Sequence, residues 1–239
     1  MCGGVVVKKE VFGETSRGEA VIAYTIENSK GMSATIINYG ATVVKLLVPD
    51  KAGFMRDVML GYDDVQSYEN GSTYFGAIIG RNANRIKDGR VTIDNVTYQM
   101  DQNDNENNLH SGLTGVDKII WTMLPTGSDN SVTFICKSND REQGLPGNVT
   151  MTVSYLVSED NELKITYDAV SDMKTVINMT SHMYFNLNGH GRGSILNHKL
   201  FINADNYCKA DDELMALAPV ASVEGTPFDF RKEERIGDR

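Results

Sequence analysis

Apolar and polar residues alternate along Val149-Thr150-Met151-Thr152-Val153-Ser154-Tyr155 and again along Leu163-Lys164-Ile165-Thr166-Tyr167. A period of two puts one face of an extended chain against a core and the other in water. Short runs rich in β-branched and aromatic residues recur elsewhere. They predict strands at 21–26, 33–39, 41–48, 91–93, 96–99, 121–124, 132–137, 149–156, 163–170, 175–180 and 199–203. Turn-forming clusters separate them, among them Asn28-Ser29-Lys30-Gly31 and Pro49-Asp50-Lys51-Ala52-Gly53. Helical periodicity is nearly absent; only residues 63–69 suggest a short helical turn. Many short strands joined by turns predict an all-β, antiparallel sandwich or barrel. No composition break marks a second domain. The polar run 101–108 reads as a loop, because strand signals resume after it.

The chain has 239 residues, 41% of them hydrophobic and 23% charged, which suits one large globular β domain. Its net charge of −9, with no basic block, argues against nucleic acid and anionic membranes as partners. Cys2, Cys136 and Cys208 are isolated, so they form neither a disulfide framework nor a zinc site, and a reducing, cytoplasmic compartment is expected. The N-terminal segment lacks the apolar stretch of a secretory signal, and no apolar run is long enough to span a membrane.

Four segments carry the candidate chemistry. In Gly80-Arg81-Asn82-Ala83-Asn84-Arg85-Ile86, two guanidinium groups and two amides offer forks of donors that match the hydroxyls of a sugar. Arginines that tie loops together by donating to carbonyls would read the same way. The second segment is Asn108-Leu109-His110-Ser111-Gly112, followed by Gly115, Asp117 and Lys118. Trp121, in a strand signal, reads as core. The third is Thr180-Ser181-His182-Met183-Tyr184-Phe185-Asn186-Leu187. As a strand it would present His182, Tyr184 and Asn186 on one face, and Met183, Phe185 and Leu187 on the other. His110 and His182 are two of only four histidines, and histidine exchanges protons near neutral pH. His190 and His198 read as exposed loop residues. The fourth segment, Gly225-Thr226-Pro227-Phe228-Asp229-Phe230-Arg231, allows an Asp229–Arg231 pair.

Taken together with Asn38-Tyr39-Gly40-Ala41, Leu60-Gly61-Tyr62 and Gly115-Val116-Asp117-Lys118, these segments resemble the galactose mutarotase (aldose 1-epimerase) family, in the family's order and over nearly the whole chain. Asn82 stands where the family usually has Val, and Ser181-His182-Met183 replaces its usual Asn-His-Ser or Asn-His-Thr. The resemblance implies a β-sandwich that interconverts α and β hexoses, chiefly galactose and glucose, with no cofactor and no metal. It implies that His182 protonates the ring oxygen and that His110 hydrogen-bonds near it. It implies too that Asn84 and Arg85 bind the sugar, with Met183 and Tyr184 bordering it.

The same resemblance implies later motifs: an Asp-His pair whose Asp holds the sugar, and a Glu that takes the C1 hydroxyl proton. Neither follows Arg231 before the final Asp238-Arg239. The chain is therefore expected to be a C-terminally incomplete single domain, 1–239, holding the acid half of the site. Alone it should be almost inactive, and exposed sheet edges should favour self-association. The alternatives are a naturally shortened, non-catalytic carbohydrate-binding sandwich and a separate chain that supplies the rest.

Overall fold

The computed structural model describes residues 7–239. Cys2 and the N-terminal segment read for a leader lie outside the described residues. Contacts group the chain into two compact units, one ending at Phe185 and the other formed by Asn186–Arg239.

The first unit is built on two antiparallel sheets. One has five strands in sequence order, Lys8–Glu14, Ala20–Glu27, Ser33–Ile37, Thr42–Pro49 and Met55–Asp57. The other has four, Thr122–Leu124, Ser131–Ser138, Val149–Val157 and Leu163–Ser171. Every neighbour is the next strand in the chain, so each sheet is a meander closed by short turns. The predicted alternation is realised: Val149, Met151, Val153, Tyr155 and Val157 are buried, with partly exposed residues between them. They pack with Val132, Phe134 and Cys136 from one sheet and Tyr24, Ile26, Ala34, Ile36 and Val43 from the other. Two inner faces that share one apolar core make a β-sandwich. The Tyr155 hydroxyl, wholly buried, donates to the Ala41 carbonyl at 2.6 Å and so joins the sheets through their core.

Trp121 is core, as its place in a strand signal predicts, and its indole N–H donates to the Val116 carbonyl at 2.8 Å. The short helix runs Val65–Asn70, with Asp64 as N-cap accepting from the Ser67 N–H at 2.8 Å. Burial pushes the Cys136 thiol up to about 12, which suits an inert core residue.

The strand expected at 175–180 is a correction. Only Thr180–Ser181 is strand, paired antiparallel with Ile78–Ile79. The segment changes partner as it runs. Asn178 bridges Asn82, the His182 N–H donates to the Ala77 carbonyl at 2.9 Å, and the Leu60 N–H donates to the Tyr184 carbonyl at 3.0 Å. No single neighbour runs alongside it, so no continuous ladder forms. The strand at 199–203 likewise shortens to Lys199–Leu200.

In the second unit, Asn206–Ala210 and Ala216–Ser222 form a hairpin that the sequence pattern does not reveal, since Ala, Asn and Lys dilute its strand signal. Asp229 and Arg231 do pair, at 2.8 Å, and the guanidinium holds the Asp229 carboxyl down at about 2. His198 is structural: its Nε2 accepts the Leu187 N–H at 2.8 Å.

Candidate active site

The two arginines of the Gly80–Ile86 segment differ in their surroundings. Arg81 is wholly buried and ties loops together. Its guanidinium donates to the carbonyls of Ser138, Asn139, Pro146 and Gly147 at 2.7–3.1 Å and to the Ser138 hydroxyl at 2.9 Å. Arg85 is only partly buried and makes a 2.6 Å ion pair from its Nε to Asp104. Its Nη1 also reaches the Asn84 amide oxygen at 3.4 Å.

His110 is delivered by the amide-rich loop. Leu109 pairs with Arg85, and Asn108 with Ile86, in a two-residue antiparallel ladder. The Asn103 side chain clamps Leu109 on both sides, accepting its N–H at 2.8 Å and donating to its carbonyl at 2.9 Å. The ladder sets His110 beside Asn84, whose backbone N–H donates to the imidazole Nδ1 at 3.0 Å. Because Nδ1 accepts, the proton of the neutral ring sits on Nε2. Burial, then the neighbouring His182 and Arg85, push His110 down to about 4, against an opposing pull from Asp104. His110 is thus a neutral Nε2–H donor near pH 7.

His182 completes the pair. Its ring centroid is 5.2 Å from that of His110, and the planes are 89° apart. Tyr184 lies 5.1 Å from His182 at 31°, so the predicted common face for these two side chains is realised. Asn186 does not join them. It is buried in the second unit, where its side-chain amide donates to the Arg192 and Gly193 carbonyls. Met183 packs against the main core. Asn84, exposed at the edge of this group, has a left-handed backbone, φ 66°, as has His110 at 54°. Such strain concentrates at functional sites.

Two residues from outside the four segments join the group, Tyr74 and Asp104, and Asp117, which follows the second segment, takes a buried place. Tyr74 places its ring 4.8 Å from His110 and 5.6 Å from His182. Its signal is weak: an aromatic pair, Tyr74-Phe75, just ahead of Gly76. Asp104 holds Arg85; an acidic residue in the loop that leads to a histidine was the available clue. Asp117 is 6% exposed, and its Oδ1 has no hydrogen-bond partner. Burial pushes its carboxyl up to about 6. Together with Tyr74 it lines a small cavity of about 20 Å³.

Among the described residues, no group of three or more His, Cys, Asp or Glu side chains could hold a metal ion, and no helix is long and apolar enough to cross a membrane.

The first unit is thus a β-sandwich that brings two imidazoles into contact beside an Asn–Arg pair. The chain belongs to the aldose 1-epimerase family, a family of isomerases, whose model matches residues 23–239. It is 40% identical to the galactose mutarotase of Mus musculus over 98% of this chain and 67% of that one. It is 38% identical to the aldose 1-epimerase of Escherichia coli K12 over 92% of this chain and 63% of that one. Its length is thus about two thirds of these relatives' length. Among solved structures, galactose 1-epimerase from Lactobacillus acidophilus superposes with a TM-score of 0.85 at 31% identity, covering 98% of this chain and 68% of that one. An aldose epimerase homologue from C. elegans gives the same TM-score at 33% identity, covering 90% and 65%.

Proposed function

We propose that this chain supplies the acid half of an aldose 1-epimerase site acting on hexoses such as galactose and glucose. The observation that carries the reading is the perpendicular contact of His182 with a His110 fixed as an Nε2–H donor. In the reaction, His182 gives a proton to the ring oxygen O5 as the C1–O5 bond breaks, and a base takes the C1 hydroxyl proton as C1 becomes the aldehyde. Rotation about C1–C2 presents the other face. O5 then re-adds to C1, the base returning its proton and His182 recovering the one it gave. His110 donates a hydrogen bond at the same oxygen, where negative charge would otherwise build up. Asn84 and Arg85 offer an amide and a guanidinium to the remaining hydroxyls, with Tyr184 at the border, while Met183 packs against the main core. Positioned acid–base groups of this kind each contribute ~10²–10⁴-fold.

Asp104 is bound to Arg85, and Asp117 is buried, so neither is free to take the C1 proton. That observation favours a second reading, a sandwich that binds a hexose without turning it over. Free Cys136 and Cys208 fit a reducing, cytoplasmic setting; a place in hexose metabolism follows from the epimerase reading.

One experiment separates the readings. The chain is mixed with α-D-galactose; polarimetry reports mutarotation, and saturation-transfer NMR reports binding. Catalysis above buffer that falls by about 10²–10⁴-fold in His182→Ala supports the epimerase. Binding without turnover is expected of the acid half alone as well as of the sugar-binding sandwich; turnover restored by added formate as an external base, and lost again in His182→Ala, marks the acid half, and no restoration supports the sandwich. Loss of neither signal in that variant would remove His182 from the site.

A further inference from the structure

We propose that Tyr74 is a positioning residue that fixes the mutual angle of the His110 and His182 imidazoles. Its catalytic consequence rests on the epimerase reading above; its geometric content does not.

Three rings meet here. Tyr74 contacts His110 edge-on, at 4.8 Å and 72°, and His182 face-on, at 5.6 Å and 29°. The two imidazoles touch each other at 89°. Each ring of the triangle therefore restrains the other two, and edge-on and offset-stacked contacts of this kind are the favoured aromatic geometries. The triangle ends a continuous run of rings. From Tyr74 it passes through His182 to Tyr184, then to Phe75 at 5.2 Å and Tyr62 at 5.1 Å. A rotation of the Tyr74 ring is opposed from both ends.

The backbone of Tyr74 is tied to that of His182 by three bonds. The Ala77 N–H donates to the Tyr74 carbonyl at 3.1 Å, the His182 N–H donates to the Ala77 carbonyl at 2.9 Å, and the Gly76 N–H donates to the His182 carbonyl at 3.0 Å. Tyr74 itself has φ 54°, an unfavourable backbone for a bulky residue. Gly76, at φ 65°, comes so close to Val43 that an added Cβ would sit 2.0 Å from the Val43 carbonyl oxygen. The turn is thus pinned against the five-stranded sheet, and the Tyr74 side chain packs on Ala77, Ile79 and Ala83. A strained tyrosine held this firmly against both histidines positions them; a space-filling residue would not need the strain.

The test compares Tyr74→Phe, which keeps the ring, with Tyr74→Leu, which keeps only apolar bulk. Imidazole ¹⁵N shifts report the tautomer, and with four histidines the spectrum is readily assigned. In the parent chain and in Tyr74→Phe, His110 should show one Nε2–H tautomer, and the Asn84 amide that donates to it should exchange slowly with solvent. In Tyr74→Leu the tautomers should mix and that amide should exchange at least tenfold faster. Where mutarotation is measurable, kcat should fall about tenfold or more in Tyr74→Leu with KM within about twofold, and Tyr74→Phe should restore it. Altered histidines in a chain without turnover would support the positioning role, since the tautomer and exchange readouts do not need the base that turnover needs. An unchanged single tautomer with unchanged exchange in a folded Tyr74→Leu would overturn the proposal. Should that variant not fold, the parent decides: nuclear Overhauser contacts from the Tyr74 ring, assigned by their loss in Tyr74→Phe, must reach both imidazoles, and contact with only one would overturn it.

Discussion

Asn84 and His110 hold each other by two hydrogen bonds. The Asn84 N–H donates to the His110 Nδ1 at 3.0 Å, and the His110 N–H donates to the Asn84 carbonyl at 3.1 Å. Both backbones are left-handed, at φ 66° and 54°. Asparagine visits that region more readily than a β-branched residue does. The backbone of Asn84 therefore sets the tautomer of the histidine, while its exposed side chain reaches Arg85 and is the part that the proposed sugar site would use. Asn84→Gly should keep the fold and the single His110 tautomer and weaken hexose binding. Asn84→Val should cost about 1–3 kcal/mol through backbone strain. Urea unfolding gives the stabilities and imidazole ¹⁵N shifts give the tautomer; a strained Asn84→Gly with an altered His110 would contradict this division.

His110 should titrate far below an ordinary histidine. Burial, His182 and Arg85 all disfavour its imidazolium, and its midpoint is set down at about 4. The folded state then binds its proton less readily than the unfolded state. Stability from this group is therefore present above the ordinary histidine value and lost as pH falls through about 4. Arg85→Met removes one repelling cation and should move the His110 midpoint upward, and His182→Ala should do the same. Proton NMR of the imidazole C–H signals between pH 3 and 8 measures both shifts. A midpoint that stays fixed in both variants would leave burial as the whole cause.

Arg81 should matter for stability rather than for sugar. Its buried guanidinium satisfies carbonyls on the 138–147 stretch, and burial lowers its own tendency to hold the charge. Arg81→Met would leave several buried carbonyls without donors, at about 1–3 kcal/mol each where water does not enter. Arg81→Lys, a point charge without the planar fork, should recover only part. Both variants should unfold at clearly lower urea, with the slope of the transition preserved. A stability equal to the parent's would mean that the loops find other donors.

These sites differ in how far the sequence discloses them. Period-two alternation exposed the 149–157 and 163–171 strands, because the first buries one face in the core and the second packs Leu163, Ile165 and Tyr167, partly buried, against it. It failed at 175–187, where the chain pairs in turn with Asn82, Ile79, Ala77 and Leu60. Alternation still grouped His182 with Tyr184, since local extension survives a change of partner, but it could not follow Asn186 into the loop that it closes. The convergence of His110 with His182 came only from family resemblance, as no local pattern encodes a contact across 72 residues. Which arginine was structural was equally hidden: Arg81 and Arg85 sit in one short motif, and only the paths of the surrounding loops separate a buried guanidinium from one paired with Asp104.

Asp117 gives the last prediction, and its sign runs opposite to that of His110. The carboxyl is buried, its Oδ1 is unpartnered, and its value is pushed up to about 6 by burial against a smaller opposing pull from Lys118. Gly115 leaves it room, for a Cβ there would sit 2.2 Å from the Asp117 Oδ1. The folded state holds this proton more tightly than the unfolded state does. Its contribution to stability is therefore complete below the ordinary carboxylate value near 4 and is lost as pH rises through about 6. A displacement of that size corresponds to about 3 kcal/mol in full, of which roughly 2.4 kcal/mol falls between pH 4 and pH 8. Asp117→Asn keeps the shape and removes the titration. It should therefore gain stability over the parent as pH rises, on the order of 2–3 kcal/mol more at pH 8 than at pH 4. Urea unfolding of both proteins across that range measures the difference directly. A difference independent of pH would show that Asp117 ionises without cost, through a partner or a water path that its burial conceals.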